Sequence, residues 1–275
     1  MTADHLPCSA GGHGEIALPD FDLTNRLALV TGSSRGIGWA IAQGLAAAGA
    51  RVLLHGRNAE ALEARAAELP GAAGTLAFDV SDRDATRDAF ARIAAEHGGL
   101  QILVNNAGVI PRKPLLETTD EDWQSVIDSN LSAYFRLSRE AARLMVPAQP
   151  WPGERPGRGR IIMVSSIMGL LARPTIPGYV TAKSGLHGMT RALAVELAPH
   201  GITVNALAPG FVPTDATAAL HADAKFNEWI SGRAPMGRWC EPSELAGPAV
   251  FLASDAASYV TGHVLVVDGG LTAAL

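Results

Sequence analysis

Leu27–Thr31 is an unbroken apolar run that passes straight into Gly32–Ser33–Ser34–Arg35–Gly36–Ile37–Gly38. The Ala-rich stretch Trp39–Ala48, closed by Gly49, follows at once. That order leaves few options. A run of Leu, Ala and Val without polar alternation suits a strand buried on both faces, as in a parallel sheet. Glycines at Gly-x-x-x-Gly-x-Gly spacing let the backbone turn sharply and approach a ligand closely. The helix behind them points unpaired N–H groups and the positive end of its dipole back at the turn. Strand, glycine turn and helix in this order are the setting in which a dinucleotide's phosphates are cradled. Gly32, Ser34, Arg35, Gly36, Ile37 and Gly38 are therefore the candidate phosphate-binding residues.

The remaining chain repeats the alternation. Strands are expected at Arg51–His55, Thr75–Phe78, Gln101–Val104, Arg160–Ser165, Ile202–Leu207 and His263–Val267. Helices are expected at Ala59–Leu69, behind the Asp79–Val80–Ser81–Asp82 cap, over 120–146 behind Thr119, at Gly178–Ala198 and from Pro242. This pattern predicts the α/β class: one doubly wound, Rossmann-like, parallel seven-stranded sheet with helices on both faces. The 275 residues, 48% of them hydrophobic, suffice for one such domain, and no repeat or linker divides them. Residues 1–20 read as a flexible N-terminal extension and 21–275 as the domain. Pro147–Gly159, rich in Pro and Gly, reads as an exposed loop. Residues 211–240, broken by Pro213, Gly232, Pro235 and Gly237 and carrying Trp229 and Trp239, read as a mobile flap over a pocket.

Composition narrows the partners. Lys plus Arg total 22 against 27 Asp plus Glu, a net charge of -5 with no basic block, which argues against nucleic acid or an anionic membrane surface. No apolar stretch approaches the ~18 residues of a membrane span. Residues 1–20 carry Asp4 and Glu15 and lack a signal pattern, so a cytoplasmic protein is expected. Cys8 and Cys240 form no framework, and the histidines show no metal-binding spacing, so no metal is expected.

Several side chains carry candidate chemistry. The second strand ends in His55–Gly56–Arg57–Asn58, without the carboxylate that would hold the ribose hydroxyls of NAD. Arg57 and Arg35 instead offer two guanidiniums, which suit a 2′-phosphate and hence NADP(H). The plainer alternative is two solvated surface arginines. The fourth strand ends in Asn105–Asn106–Ala107–Gly108, where small residues permit backbone approach to a ligand, and Asn105 reads as structural. A buried Asn130 in mid-helix is unfavourable unless its amide is used. Tyr179 and Lys183, four residues apart, stack on one helical face. An ammonium beside a phenol favours phenolate and lowers the tyrosine pKa from about 10, making Tyr179 a candidate acid/base. By itself, Tyr-x-x-x-Lys also occurs on ordinary solvated helices.

Together these pieces resemble the short-chain dehydrogenase/reductase family over residues 21–275. The matching positions are Thr31-Gly32-x-x-x-Gly36-x-Gly38, Asn105–Gly108, Asn130, Ser166, Tyr179-x-x-x-Lys183 and Pro209–Gly210, with Ser166 lying 13 residues before Tyr179. The resemblance implies an enzyme that interconverts a secondary alcohol and a ketone by hydride transfer with NADP(H). It implies that Tyr179 exchanges the proton, that Ser166 orients the substrate oxygen, and that Lys183 lowers the Tyr179 pKa and binds the nicotinamide ribose. Asn130 would hold a water leading to Lys183. Asp79 and Val80 would meet adenine, Asn106, Ala107 and Gly108 the ribose side, and Val212 and Thr214, beyond Pro209–Gly210, the carboxamide. A homotetramer is implied as well. Within the family, Phe21–Thr24, Pro111–Pro114, Phe226–Trp229, Arg238–Trp239 and Arg173–Ile176 most resemble the gluconate 5-dehydrogenase group. A sugar acid such as gluconate or 5-ketogluconate is then the expected substrate, with Arg112 and Arg173 as candidate partners of its carboxylate. The alternatives are a 3-oxoacyl-thioester reductase and, from another class, a non-catalytic NADP-binding sensor or scaffold.

Overall fold

The computed structural model describes residues 20–146 and 159–275. The expected extension up to residue 19 and the loop at 147–158 lie outside the described residues. The strands are β1 (Leu27–Val30), β2 (Arg51–Gly56), β3 (Ala72–Ala77), β4 (Ile102–Asn105), β5 (Arg160–Val164), β6 (Thr203–Pro209) and β7 (Val264–Val267). They form one seven-stranded sheet in the order β3-β2-β1-β4-β5-β6-β7. Every pairing is parallel. The helices are α1 (Gly36–Ala47), α2 (Ala59–Glu68), α3 (Arg83–His97), α4 (Asp120–Ile127), α5 (Ala133–Met145), α6 (Pro177–Leu197), α7 (Ala218–His221), α8 (Ala224–Arg233) and α9 (Ala246–Ala253).

Successive strand residues face opposite sides of the sheet, and so build two cores. On one side Leu27, Leu29, Leu103, Ile161 and Val204 pack with Phe90 and Ile93 of α3, Tyr134 and Leu137 of α5, and Leu186 of α6. On the other Ala28, Val30, Ile102, Val104, Ile162 and Leu207 pack with Ile41 and Leu45 of α1, Leu62 of α2, and Leu252 of α9. The strand order reverses between β1 and β4, which opens a crevice at their carboxyl ends.

Three local features depart from the sequence expectations. β3 starts at Ala72, earlier than Thr75: the register shifts between Val52 and Leu53, where Ala73 is the extra residue and Gly74, at φ 137°, resumes the pairing. The single helix expected over 120–146 is two helices joined by a π-helical turn at Asp128–Ser132. Asn130 lies inside that turn. Its Nδ2 donates to the carbonyls of Val109 (2.9 Å) and Val126 (3.0 Å), and its Oδ1 accepts the Val109 N–H (3.2 Å). Such a bulge is what a polar side chain bonding sideways produces within a helix. Residues 211–240 contain α7 and α8, the latter capped by Asp223, whose carboxylate accepts the Lys225 and Phe226 amides. Among the described residues no helix is long and apolar enough to cross a membrane.

Candidate active site

The glycine turn is locked to its neighbours. Gly32 has φ +64°, and a Cβ there would come within 2.9 Å of the Ala107 Cα. A Cβ on Gly38 would meet the Gly32 carbonyl oxygen at 2.3 Å. The Thr31 hydroxyl accepts the N–H groups of Asn106 (2.8 Å) and Ala107 (3.1 Å), and Asn106 Nδ2 donates back to the carbonyls of Thr31 (2.9 Å) and Gly32 (3.0 Å). His55 Nδ1 accepts the Gly32 N–H at 3.0 Å. Burial pushes the His55 pKa down to about 4, so its ring is neutral and able to accept. Behind the turn, α1 starts at Gly36 with no side-chain cap and no acidic residue in its first turn. Its N–H groups and dipole are thus not satisfied by a protein carboxylate, and the cradle fits a phosphate.

The charged rim differs from the expectation of two cations and no anion. Arg35 pairs with Asp215 at 2.7 Å, and Arg57 lies 3.9 Å from Asp79. The end of β2 does lack a carboxylate; these come from the end of β3 and from the loop after β6. The Asp79 carboxyl is held below its usual range by the Ser81 hydroxyl and N–H, at 2.7 and 2.8 Å, with Arg57 adding to the effect. Exposed pairs of this kind contribute about 1 kcal/mol or less.

At the end of β5 the two adjacent serines part. The Ser165 hydroxyl is bonded to His187 Nε2 (2.8 Å) and the Lys183 carbonyl (3.3 Å). The Ser166 hydroxyl accepts the Met168 N–H (3.1 Å) and lies near enough to Tyr179 to favour its ionised form. α6 begins with Pro177 at a position where a proline ring is well tolerated, and it carries Tyr179 and Lys183. Lys183 Nζ donates to the Val164 carbonyl (2.7 Å) and lies 5.5 Å from the centroid of the Tyr179 ring.

The expected lowering of the Tyr179 pKa by Lys183 is not what the geometry gives. Burial pushes the phenol up to about 12, opposed by the Ser166 hydroxyl and the Arg112 charge. Burial also brings Lys183 down to about 7. The ammonium is turned to a carbonyl at that separation from the ring, so desolvation wins. The Asn130 amide, expected to hold a water, bonds backbone through both its N–H groups and accepts one backbone N–H on its oxygen.

The other positions named from sequence surround this crevice in different ways. A Cβ on Gly108 would lie 2.3 Å from Asn130 Oδ1, and the Gly210 N–H donates to the Val267 carbonyl (2.9 Å) at the end of β6, beside Pro209. The Thr214 methyl abuts Gly36. Val80 and Val212 have buried side chains in the two cores. Arg112 is exposed, yet its charge acts on both Tyr179 and Arg173. The Arg173 guanidinium stacks 4.5 Å over the Phe226 ring and 5.7 Å over Phe211. It lines a cavity of about 410 Å³ with Met168, Leu171, Phe211, Trp229 and Arg233. Sequence reasoning missed Thr31 and His55 as braces of the turn, and Tyr134, whose ring lies 5.1 Å from Lys183 Nζ. Tyr134 stands four residues after Asn130, the spacing that would have placed it on the same face.

A family model described as enoyl-(acyl carrier protein) reductase matches residues 32–272. The gluconate 5-dehydrogenase of Gluconobacter oxydans (strain 621H) is 44% identical over 261 residues, covering 94% of this chain and 99% of its own. The 3-oxoacyl-[acyl-carrier-protein] reductase FabG of Escherichia coli (strain K12) is 40% identical over 246 residues, covering 90% and 97%. Among solved structures, a gluconate 5-dehydrogenase from Burkholderia cenocepacia J2315 in complex with NADP and tartrate superposes with a TM-score of 0.86 at 39% identity, covering 94% of this chain and 99% of that one.

Proposed function

Because the chain belongs to the short-chain dehydrogenase/reductase family, we propose that it is an NADP(H)-dependent oxidoreductase interconverting a secondary alcohol and a ketone on a sugar acid of the gluconate/5-ketogluconate class. When bound, NADP(H) supplies or accepts the hydride. The residues of the chain do the rest. Tyr179 Oη gives its proton to the carbonyl oxygen in reduction and takes it back in oxidation. The Ser166 hydroxyl donates to the same substrate oxygen and orients it. Lys183 reaches the ribose and adds positive charge beside Tyr179. Asn130, its amide fixed by backbone, holds the π turn behind them. The cofactor's phosphates fall to Gly32, Ser34, Gly36, Ile37 and Gly38, and its 2′-phosphate to Arg35 and Arg57. Asp79 and Val80 flank the adenine, Asn106, Ala107 and Gly108 the ribose side, and Pro209, Gly210, Val212 and Thr214 the carboxamide.

The observation that carries the reading is the placement of Tyr179 and Lys183 on α6 against the end of β5, where Lys183 Nζ bonds the Val164 carbonyl and Ser166 follows, at the carboxyl ends of the same strands that hold the glycine turn. The sugar-acid part is supported by the cavity beside it, where Arg173 presents a guanidinium with no ion pair among the described residues, Arg112 adds charge, and the relatives include gluconate 5-dehydrogenases. A 3-oxoacyl-thioester reductase is the second reading, favoured by the apolar share of the lining, Met168, Leu171 and Trp229. A cytoplasmic homotetramer is the setting we infer. Exposed Trp123 of α4, Phe135 of α5 and Val195 of α6, together with half-buried β7, support two subunit faces.

The test is steady-state absorbance of reduced nicotinamide with gluconate, 5-ketogluconate and an acetoacetyl thioester. Turnover of the sugar acids with NADP(H) is expected. Brisk reduction of the thioester with none of the sugar acids would hand the site to the second reading.

A further inference from the structure

Lys183 lies between two tyrosine rings. Its Nζ is 5.1 Å from the centroid of Tyr134 and 5.5 Å from that of Tyr179, and it donates to the Val164 carbonyl at 2.7 Å. Tyr134 enters from α5 and is fully buried, and its hydroxyl lies 3.4 Å from the same Val164 carbonyl oxygen. Among the described residues that carbonyl is the hydroxyl's hydrogen-bond partner. One buried acceptor is thus shared between a short bond from an ammonium and a long one from a phenol. We propose that Tyr134 is a positioning residue for the reaction that acts through Lys183: its hydroxyl takes over the Val164 carbonyl when Lys183 turns to the cofactor ribose, and its ring face holds the lysine in the ammonium form. This rests on the reading of Tyr179 and Lys183 given above.

Two physical arguments support it. A buried carbonyl left without a donor carries a desolvation penalty, and a second donor already aimed at it reduces the penalty of moving the lysine. The charge on Lys183 is also poorly supported. The groups facing it are Tyr179 and His187 on its own helix and Tyr134 from α5, with the Val164 carbonyl at the end of β5 and Arg112 beyond Tyr179; none is a carboxylate. Burial brings its pKa to about 7, and the negative faces of the two rings, at 5.1 and 5.5 Å, favour the charged form against that burial. Tyr134 remains a neutral donor, since burial raises its own pKa.

The test is NADPH affinity by fluorescence titration from mildly acidic to alkaline pH, in a Tyr179→Phe background so that the Tyr179 phenol does not contribute to the titration. Tyr134→Phe keeps the ring and removes the hydroxyl. It should weaken NADPH binding about three- to tenfold at every pH without moving the midpoint at which affinity falls. Tyr134→Leu removes both, and should in addition move that midpoint down by about one pH unit. A residue that merely fills the core predicts otherwise: lower thermal stability, an unmoved midpoint for Leu and unchanged affinity for Phe, and that pattern overturns the proposal. If the Leu variant does not fold, unchanged affinity in the Phe variant alone overturns it. Absence of NADPH binding by the unmodified protein would instead remove the cofactor reading, separately from Tyr134.

Discussion

His55 Nδ1 accepts the Gly32 backbone N–H at 3.0 Å, so a side chain at the end of β2 fixes the first residue of the glycine turn. The bond requires an unprotonated Nδ1. In the fold the pKa is about 4, against 6.5 for a free histidine, with burial as the main cause. Between these values the unfolded chain binds the proton and the folded one does not, so stability rises with pH across this window. The contribution is complete above pH ~6.5 and is lost as pH falls towards 4, amounting to on the order of 3 kcal/mol at most. Urea melts at several pH values should show this slope. His55→Asn, which keeps an acceptor and cannot titrate, should flatten it. An unchanged slope in the variant would place the acid sensitivity elsewhere.

A methyl group at residue 38 has no room. Its Cβ would lie 2.3 Å from the Gly32 carbonyl oxygen and 2.5 Å from Asn106 Nδ2. Gly38→Ala should therefore displace the turn and reduce NADP(H) affinity at least tenfold, by loss of more than about 1.4 kcal/mol of binding. Isothermal titration checks it. Unaltered affinity would show that the turn does not hold the pyrophosphate.

Much of this could be read from sequence because the informative signals are local. Buried parallel strands leave continuous apolar runs, and a glycine turn between strand and helix has one geometric use, so the sheet and its crevice were legible from Leu27–Gly38 and its repeats. What was hidden is non-local. The partners of Arg35 and Arg57 are Asp215 and Asp79, from other loops, and no spacing rule announces them. The sign of the Tyr179 shift was misjudged because neighbours in sequence reveal a charge and not its desolvation. The π turn was invisible because Asn130 bonds to Val109, on another segment.

Tyr179→Phe removes the exchangeable proton and little else. Turnover should fall by 10²–10⁴-fold while NADP(H) binding stays within a few-fold of normal. Paired measurements of kcat and of cofactor affinity decide the matter. Retention of more than about a tenth of the rate would transfer the acid/base role to another group.

Cofactor choice should depend on the rim of Arg35 and Arg57. Neutralising both should raise the KM for NADP far more than that for NAD, because only the 2′-phosphate meets them. Since Asp215 holds Arg35 at 2.7 Å, Asp215→Asn should act in the opposite sense and improve NADP use modestly, about two- to fivefold, by freeing the guanidinium. Equal changes for both cofactors would sink the assignment.

Arg112 and Arg173 should separate by charge. Arg112 is exposed, and its charge draws down the Tyr179 pKa; Arg173 is half-buried on Phe226 inside the cavity. If a guanidinium binds the substrate carboxylate, its loss weakens a sugar acid by on the order of 1.5–3 kcal/mol and leaves a small neutral ketone nearly untouched. Arg173→Ala should follow that pattern in KM. Arg112→Ala should add a second effect that no binding role explains. Removing a nearby cation raises the Tyr179 pKa further, so the rise of alcohol oxidation with pH should shift to higher pH for every substrate, neutral ones included. Oxidation rates against pH for one charged and one neutral alcohol, measured in both variants, test this directly. A pH profile that Arg112→Ala leaves in place would confine Arg112 to the carboxylate. Equal losses on charged and neutral substrates in Arg173→Ala would make Arg173 a structural partner of the aromatic wall.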